Sequence, residues 1–290
     1  MSRVLFVTAA YGLLWDTMFG GRSGRREHYG ESLISLSKLG ADFVVYTSNQ
    51  DEQDYYSDYI RDRADSSSNF RFVQYDLAQY RHHSAILNIQ GGFNNLLKDR
   101  CFQLQYCKFQ WLQQSLDDRY TDTYWIDAGL SHTGLFPSKY KCGDSSYRDQ
   151  YQFSIFDRQL LNGLVATTDH RITILLNTNR ESQLVDSRYL TRQPSTTFHV
   201  VGGLFGGKTN NIQQLCHSFN QLADQTIANQ HLYTEEQIMT ALVINQPDNF
   251  NPRSFDTWYH EDSIRQMAPH INPDNVTSFC QMFEAIRQTA

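Results

Sequence analysis

The stretch Tyr124-Trp125-Ile126-Asp127-Ala128-Gly129 decides the fold, because a short apolar run ends in a carboxylate followed by two small residues. This pattern predicts a buried strand of a parallel α/β sheet. Ligands of such sheets bind outside the carboxyl ends of the strands, and small residues let them approach the backbone. We therefore expect Asp127 to lie at a binding site, paired with a metal ion or a hydrogen-bond donor. The alternative is that Asp127 only caps the turn that follows it.

Strands and helices alternate on both sides of this stretch. Apolar runs predict further strands at 4–7, 43–46, 70–73, 172–176 and 197–201. Amphipathic segments predict helices at 31–39, 101–116, 211–228, 235–243 and 275–287. This order predicts one α/β domain over residues 1–290, with a mostly parallel, Rossmann-like sheet flanked by helices and a small C-terminal lobe.

The overall composition excludes several classes of protein. A net charge of −6 gives no global field that would attract nucleic acid or an anionic membrane. The sequence contains no convincing secretion signal and no apolar stretch of roughly 20 residues that would cross a bilayer. Five cysteines without CxxC spacing indicate reduced thiols rather than disulfides or a zinc site. We therefore expect a cytoplasmic protein, either free or peripheral to a membrane.

A basic cluster at the N-terminus is a candidate for binding phosphate. Arg22, Arg25 and Arg26 lie within the segment FGGRSGRREHYG, where glycines surround the cations. An equally plain interpretation is a solvated loop, since Glu27 and Glu31 follow closely.

A glycine-rich segment, Gly202-Gly203-Leu204-Phe205-Gly206-Gly207, follows the predicted strand at 197–201. Its four glycines permit close contact with a flat or polyhydroxylated ligand. The spacing matches neither GxGxxG nor GxxxxGK[ST], which disfavours a dinucleotide or ATP cradle. The alternative is a glycine-rich turn in which Phe205 packs into the core.

Two acidic residues, Glu235 and Glu236, open an apolar helical run and are candidates for a general base. The same segment, Thr234 to Gln237, spells a capping box, which is a purely structural explanation. Both interpretations remain open at the level of sequence.

The segment Trp258-Tyr259-His260-Glu261-Asp262 collects two aromatic residues, an imidazole and two carboxylates. Such a composition suits a metal ligand beside a sugar-stacking ring. A surface turn with solvated charges is the structural alternative.

Together these segments resemble the HtrL/YibB-like family of bacterial glycosyltransferase-like proteins, which are related to nucleotide-sugar transferases of the GT-A fold. The resemblance spans nearly the whole chain. It rests on FVTAAYG at 6–12, Lys108-Phe109, YWIDAGLSHTGLFP at 124–137, VVGGLFGG at 200–207, TEEQ at 234–237 and WYHED at 258–262.

The resemblance implies a GT-A-like sheet with a nucleotide-sugar-binding half over about 1–135 and an acceptor-side half over about 136–290. GT-A enzymes bind a metal ion and the donor through a DxD motif; here position 129 is Gly, so Asp127 alone remains. His260 is the expected second ligand of Mn²⁺ or Mg²⁺. The residues expected to bind the donor are Thr8, Ala9, Ala10, Tyr11, Arg26, Lys108, Asp127, Ala128 and Gly129. The residues expected to bind the acceptor or the sugar are Gly202, Gly203, Phe205, Gly206 and Trp258.

The expected function is transfer of a sugar from a nucleotide-sugar donor, with UDP- or GDP-sugars favoured, to a hydroxyl of a glycan or glycolipid acceptor. The resemblance also implies a role in surface polysaccharide assembly. Two rival functions are a non-catalytic nucleotide-sugar or glycan-binding protein of the same fold and a nucleotidyltransferase. The second rival is expected to need a more basic phosphate loop and two neighbouring metal carboxylates.

Overall fold

The computed structural model describes residues 3–12, 25–89, 95–130, 155–178, 199–256 and 277–289, with the backbone alone for 25, 95–101 and 199. Statements about the structure below refer to these ranges. The predicted division of the chain at about residue 135 falls outside them and stays a prediction.

A seven-stranded sheet forms the centre of the protein. Its strands are β1 (Val4–Ala9), β2 (Asp42–Thr47), β3 (Asn69–Gln74), β4 (Asp122–Ile126), β5 (Ile172–Asn177), β6 (His199–Lys208) and β7 (Phe250–Phe255). Their spatial order is β3-β2-β1-β4-β6-β5-β7. All pairs are parallel except the two that β6 makes with β4 and β5. The predicted mostly parallel α/β sheet is thus confirmed.

Helices cover both faces of this sheet. They are α1 (Arg25–Ser37), α2 (Gln50–Ile60), α3 (His83–Asn88), α4 (Asn95–Ser115), α5 (Arg158–Thr167), α6 (Thr209–Ala228), α7 (Glu235–Asn245) and α8 (Phe279–Gln288). Short 3-10 turns lie at Leu77–Gln79 and Pro247–Asn249.

The core has two layers because side chains of a strand alternate between its faces. Phe6 of β1 joins the layer under α1, α2, α5 and α8, whereas its neighbour Leu5 joins the layer under α3, α4, α6 and α7. The C-terminal helix α8 packs against α5 within the first layer. Both layers bury aromatic rings, such as Tyr124 in the first and Trp111 in the second.

Some boundaries differ from the sequence prediction. The glycine-rich segment 202–207 lies inside strand β6 instead of following it. The acidic segment after residue 50 forms helix α2, and residues 250–255 form the edge strand β7, neither of which the sequence analysis predicted.

No helix in the described ranges is long and apolar enough to cross a membrane. Cys107, Cys216 and Cys280 are buried.

Candidate active site at the carboxyl edge of the sheet

The ends of β1 and β4 meet where the order of the strands reverses. From β1 the chain proceeds to β2 and β3 on one side, and it later returns to place β4 on the other side of β1. Val7 pairs with Trp125. Ala9 and Asp127 each follow two residues later, so they reach the same level of the sheet edge. A crevice outside the strands at such a reversal is the usual ligand site of an open α/β sheet.

Asp127 is held in place by contacts from three directions. Its backbone N–H donates to the carbonyl of Gly203 at 2.8 Å, and Trp125 Nε1 donates to its Oδ1 at 2.7 Å. Lys108 Nζ lies 3.1 Å from the same oxygen. No hydrogen bond from the described residues reaches Oδ2, and 38% of the side chain is exposed. Asp127 therefore presents one carboxylate oxygen to the crevice.

The ammonium group of Lys108 lies at the centre of this cluster. Besides Asp127, it contacts Glu235 Oε1 at 2.7 Å and donates to the carbonyl of Gly202 at 3.1 Å. Although burial disfavours the charged form, the carboxylates of Asp127 and Glu235 raise the pKa of Lys108 above its ordinary value. Two of these contacts, to Glu235 and Gly202, are hydrogen bonds, and the third, to Asp127, is an ion pair. Lys108 therefore balances the charge of two carboxylates, and its expected part in donor binding stays a prediction.

Gly202 links β6 to the two glutamates that begin α7. Its carbonyl accepts from Lys108, and its N–H donates to Glu236 Oε1 at 2.9 Å. A Cβ atom at Gly202 would lie 2.6 Å from Glu235 Oε1 and 3.3 Å from Lys108 Nζ. Close approach of the glutamate to the strand therefore requires glycine at this position.

The two glutamates of α7 lie in different environments. Glu235 is almost completely buried and bound to Lys108, while Glu236 is only partly buried. Burial and repulsion by Glu235 raise the pKa of Glu236 to about 7. The predicted capping box is also present, since the side chain of Thr234 accepts from the N–H of Gln237 and the Gln237 side chain accepts from the N–H of Thr234. The capping-box interpretation is thus confirmed, and the general-base interpretation stays a prediction.

The residues expected to bind the donor after β1 differ in accessibility. Thr8 and Ala10 are fully buried, and Ala9 is partly exposed at the edge. The hydroxyl of Tyr11 donates to the carbonyl of Tyr75 at 2.5 Å, and its ring is buried. The ring and the hydroxyl of Tyr11 are thus both used in the core, and donor binding at this position stays a prediction. Beyond Asp127, Ala128 and Gly129 are buried as well.

Arg26 lies near the carboxyl ends of β1 and β2. Its guanidinium group is centred 4.1 Å from the ring of Tyr55 and donates to the carbonyl of Asp51 at 3.4 Å. A Cβ atom at Gly12, just after β1, would lie 2.8 Å from Arg26 Cγ and 2.5 Å from the hydroxyl of Tyr56. This cation is therefore anchored beside the segment that follows β1. Tyr55 and Tyr56 were not predicted as site residues. The only feature of the sequence that points to them is that two aromatic residues lie side by side in a polar segment.

The glycine-rich segment divides into a site half and a core half. Gly202 and Gly203 contact the Asp127 cluster, as described. Phe205 is fully buried and stacks on Phe109 with ring centroids 5.3 Å apart. A Cβ atom at Gly206 would lie 2.2 Å from the ring of Tyr124. The expectation that Phe205 and Gly206 bind sugar is therefore wrong. The structure instead contains the alternative named above, in which Phe205 packs into the core.

Several expected site residues lie outside the described ranges: Arg22, Trp258 and His260. Where the structure does describe the chain, no group of three or more His, Cys, Asp or Glu side chains is placed to hold a metal ion. Trp125, which the sequence analysis quoted only as part of the strand, contributes a hydrogen bond to Asp127. The sequence signal for this contact is the spacing, because residues two apart in an extended chain have side chains on the same face.

Comparison with known proteins identifies no family: no family model and no curated protein matches the chain. Among solved structures, the chain is similar to 4-diphosphocytidyl-2C-methyl-D-erythritolsynthase from Anaerococcus prevotii DSM 20548, at 11% identity and a TM-score of 0.46. The match covers 93% of this chain and 98% of that chain. Similarity at this level carries no inference about fold or function.

Proposed function

We propose that this protein is a GT-A-like glycosyltransferase that moves a sugar from a nucleotide-sugar donor to an acceptor hydroxyl. The observation that carries the proposal is the position of Asp127. This partly exposed carboxylate lies at the strand-order reversal and is backed by a buried lysine and two glutamates. A UDP- or GDP-sugar is the favoured donor, and a glycan or glycolipid is the favoured acceptor.

The donor would bind across the ends of β1, β2 and β4. Ala9 leaves room for a ligand near the backbone, and Arg26 offers a cation beside the segment that follows β1. A guanidinium group pairs well with phosphate oxygens. The diphosphate of the donor would then lie between Arg26 and Asp127, and its sugar would face Gly202 and Gly203.

Charge balance supports a divalent metal ion at this site. Lys108 carries one positive charge against Asp127, Glu235 and a Glu236 that is partly protonated near neutrality. The cluster therefore carries between one and two net negative charges, and an anionic diphosphate beside it needs a further cation. Oδ2 of Asp127 is an oxygen ligand of the kind that Mn²⁺ and Mg²⁺ prefer, with His260 as the proposed second ligand. When bound, such an ion stabilises the charge of the departing diphosphate.

The carboxylates at the start of α7 would serve the acceptor. An acceptor hydroxyl must lose its proton while its oxygen attacks the anomeric carbon. The bond between that carbon and the diphosphate oxygen breaks, and a nucleoside diphosphate leaves. Positioning the hydroxyl beside a carboxylate contributes to the rate through both proton removal and orientation.

A non-catalytic nucleotide-sugar-binding protein is the second candidate. The single acid at the end of β4 favours it, because one oxygen of Asp127 is already engaged by Lys108 and Trp125. Such a protein would bind donors without releasing any product.

Incubation with a panel of UDP-, GDP-, CMP- and dTDP-sugars, with Mn²⁺ and a mixture of glycan acceptors, separates these possibilities. A glycosyltransferase releases the nucleoside phosphate of one donor, and Asp127→Ala abolishes the release while thermal unfolding shows an intact fold. Binding without release would favour the non-catalytic protein, and release of pyrophosphate from a nucleoside triphosphate would identify a nucleotidyltransferase. Unchanged turnover in Asp127→Ala would contradict the proposal.

A further inference from the structure

The two glutamates at the start of α7 differ in what their free oxygens can reach. Glu235 Oε1 contacts the buried Lys108 ammonium, and its Oε2 is buried without a hydrogen-bond partner. Only 4% of the Glu235 side chain is exposed. A substrate hydroxyl therefore has no access to this carboxylate, which is the counter-ion of Lys108.

Glu236 is oriented by the neighbouring strand and retains one oxygen. Its Oε1 accepts from the N–H of Gly202 at 2.9 Å, and no hydrogen bond from the described residues reaches its Oε2. The residue is partly exposed. Gly202 also accepts from Lys108, so the same residue fixes both the ion pair and Glu236.

We infer that Glu236 is the group that accepts the proton of the acceptor hydroxyl, and that Lys108 and Glu235 are positioning residues that hold it through Gly202. This inference rests on the proposed function. In the step, the O–H bond of the acceptor breaks and its proton passes to Glu236 Oε2. The oxygen lone pair forms the bond to the anomeric carbon, and the electrons of the broken carbon–oxygen bond leave with the nucleoside diphosphate. Glu236 then returns the proton to solvent through its exposed side.

The electrostatic surroundings suit this role. The charged groups around Glu236 are Glu235 from α7, Lys108 from α4 and Asp127 from the end of β4, and β6 contributes the N–H of Gly202. Burial and the Glu235 charge raise the pKa of Glu236 to about 7, which outweighs the lowering effects of Gly202 and Lys108. A general base works best when its pKa lies near the working pH.

One arm of the test needs no substrate. Wild type, Glu236→Gln and Glu235→Gln are unfolded by denaturant at a series of pH values. The folded state holds the Glu236 proton to a higher pH than the unfolded state does, so the contribution of Glu236 to wild-type stability should fall as pH rises from 4.5 to about 7. Glu236→Gln should lose this fall, and Glu235→Gln should retain a pH-dependent fall. A fall that persists in Glu236→Gln would overturn the inference.

The second arm measures release of nucleoside diphosphate from the nucleotide sugar that the wild type uses, as a function of pH. Glu236→Gln should lower the rate at least about 100-fold and remove the acidic limb of the pH profile. Glu235→Gln should keep the acidic limb of the pH profile, since Glu235 only holds Glu236 in position. A fully active Glu236→Gln variant would overturn the inference alone, whereas a wild type that releases nothing from any donor would overturn the proposed function and the inference with it.

Discussion

Replacing Lys108 by Met tests whether its ammonium group is the charge that allows two acids to lie side by side. Met keeps the length of the apolar stem but removes the positive charge. Glu235, with only 4% of its side chain exposed, would then be a buried carboxylate without a counter-ion. Removing one partner of such a pair costs about 3–5 kcal/mol. Asp127 adds little to this cost, because 38% of its side chain is exposed and water can screen its charge.

The assay is reversible unfolding by denaturant at neutral pH, followed by a double-mutant cycle. Lys108→Met should lose about 3–5 kcal/mol of unfolding free energy, a shift on the order of 10 °C in Tm. Glu235→Gln should cost about 1–2 kcal/mol, since its amide oxygen still accepts from Lys108. The double variant should be more stable than the sum of the single changes implies, by about 0.5–3 kcal/mol, because it removes both buried charges.

Arg61→Met is the matched control, because Arg61 pairs with Asp58 while the two side chains are 65% and 66% exposed. It should cost less than about 1 kcal/mol. The reasoning would be refuted if the losses of unfolding free energy in Lys108→Met and Glu235→Gln simply added in the double variant. It would also be refuted if Lys108→Met lost no more unfolding free energy than the Arg61→Met control.

Three further substitutions test separate contacts. Gly202→Ala places a methyl group 2.6 Å from Glu235 Oε1. We expect a loss of about 1–3 kcal/mol in unfolding free energy and reduced turnover. If stability and turnover both stay at the wild-type values, the strand tolerates a side chain here. Gly163→Ala places a methyl group 1.9 Å from a carbonyl oxygen of α8; thermal unfolding should shift downward although Ala favours helices, and an upward shift would contradict the α5–α8 packing. Trp125→Phe removes the indole N–H that donates to Asp127; titration with Mn²⁺ and donor should show an affinity several-fold weaker, and unchanged affinity would mean that this hydrogen bond does not orient the carboxylate.

Strands β1 and β2 were predictable because nearly all of their residues are buried on both faces. Runs such as Val4 to Val7 and Phe43 to Tyr46 are continuously apolar, and they form β1 and β2 with one or two residues added at their ends. Strand β7 escaped prediction because it lies at the edge, where only its first and last residues are buried and Pro252 is tolerated. Edge strands do not need the apolar run on which the prediction depended.

The glycine-rich segment shows how one residue type serves two purposes. Gly202 allows Glu235 to approach the strand, whereas Gly206 leaves space for the ring of Tyr124 in the core. Sequence alone cannot distinguish these roles, because both require only the absence of a side chain. The difference appears once the register of β6 against β4 is known.

The candidate site was predictable residue by residue but not as an arrangement. Asp127, Lys108, Glu235 and Glu236 were each expected to act in donor binding or catalysis, yet the sequence gives no reason for Lys108 to bridge Asp127 and Glu235. That contact depends on how α4 and α7 pack against β6, which is set by long-range packing rather than local pattern. The assignment of Lys108 to donor binding stays a prediction, while its two contacts with carboxylates are what long-range packing adds.

Donor-dependent stabilisation is the measurement that tests the central claim most directly. Wild type, Asp127→Asn and the control Asp117→Asn, which alters a partly exposed carboxylate near the start of β4, are melted with UDP- and GDP-sugars in the presence and absence of Mn²⁺. A donor at 100 times its Kd stabilises the folded state by about 2.7 kcal/mol. The account predicts that one donor raises the Tm of the wild type and of Asp117→Asn in the presence of Mn²⁺, and that Asp127→Asn loses this rise. A rise of equal size in all three proteins, or no rise with any donor, would contradict a nucleotide-sugar site at Asp127.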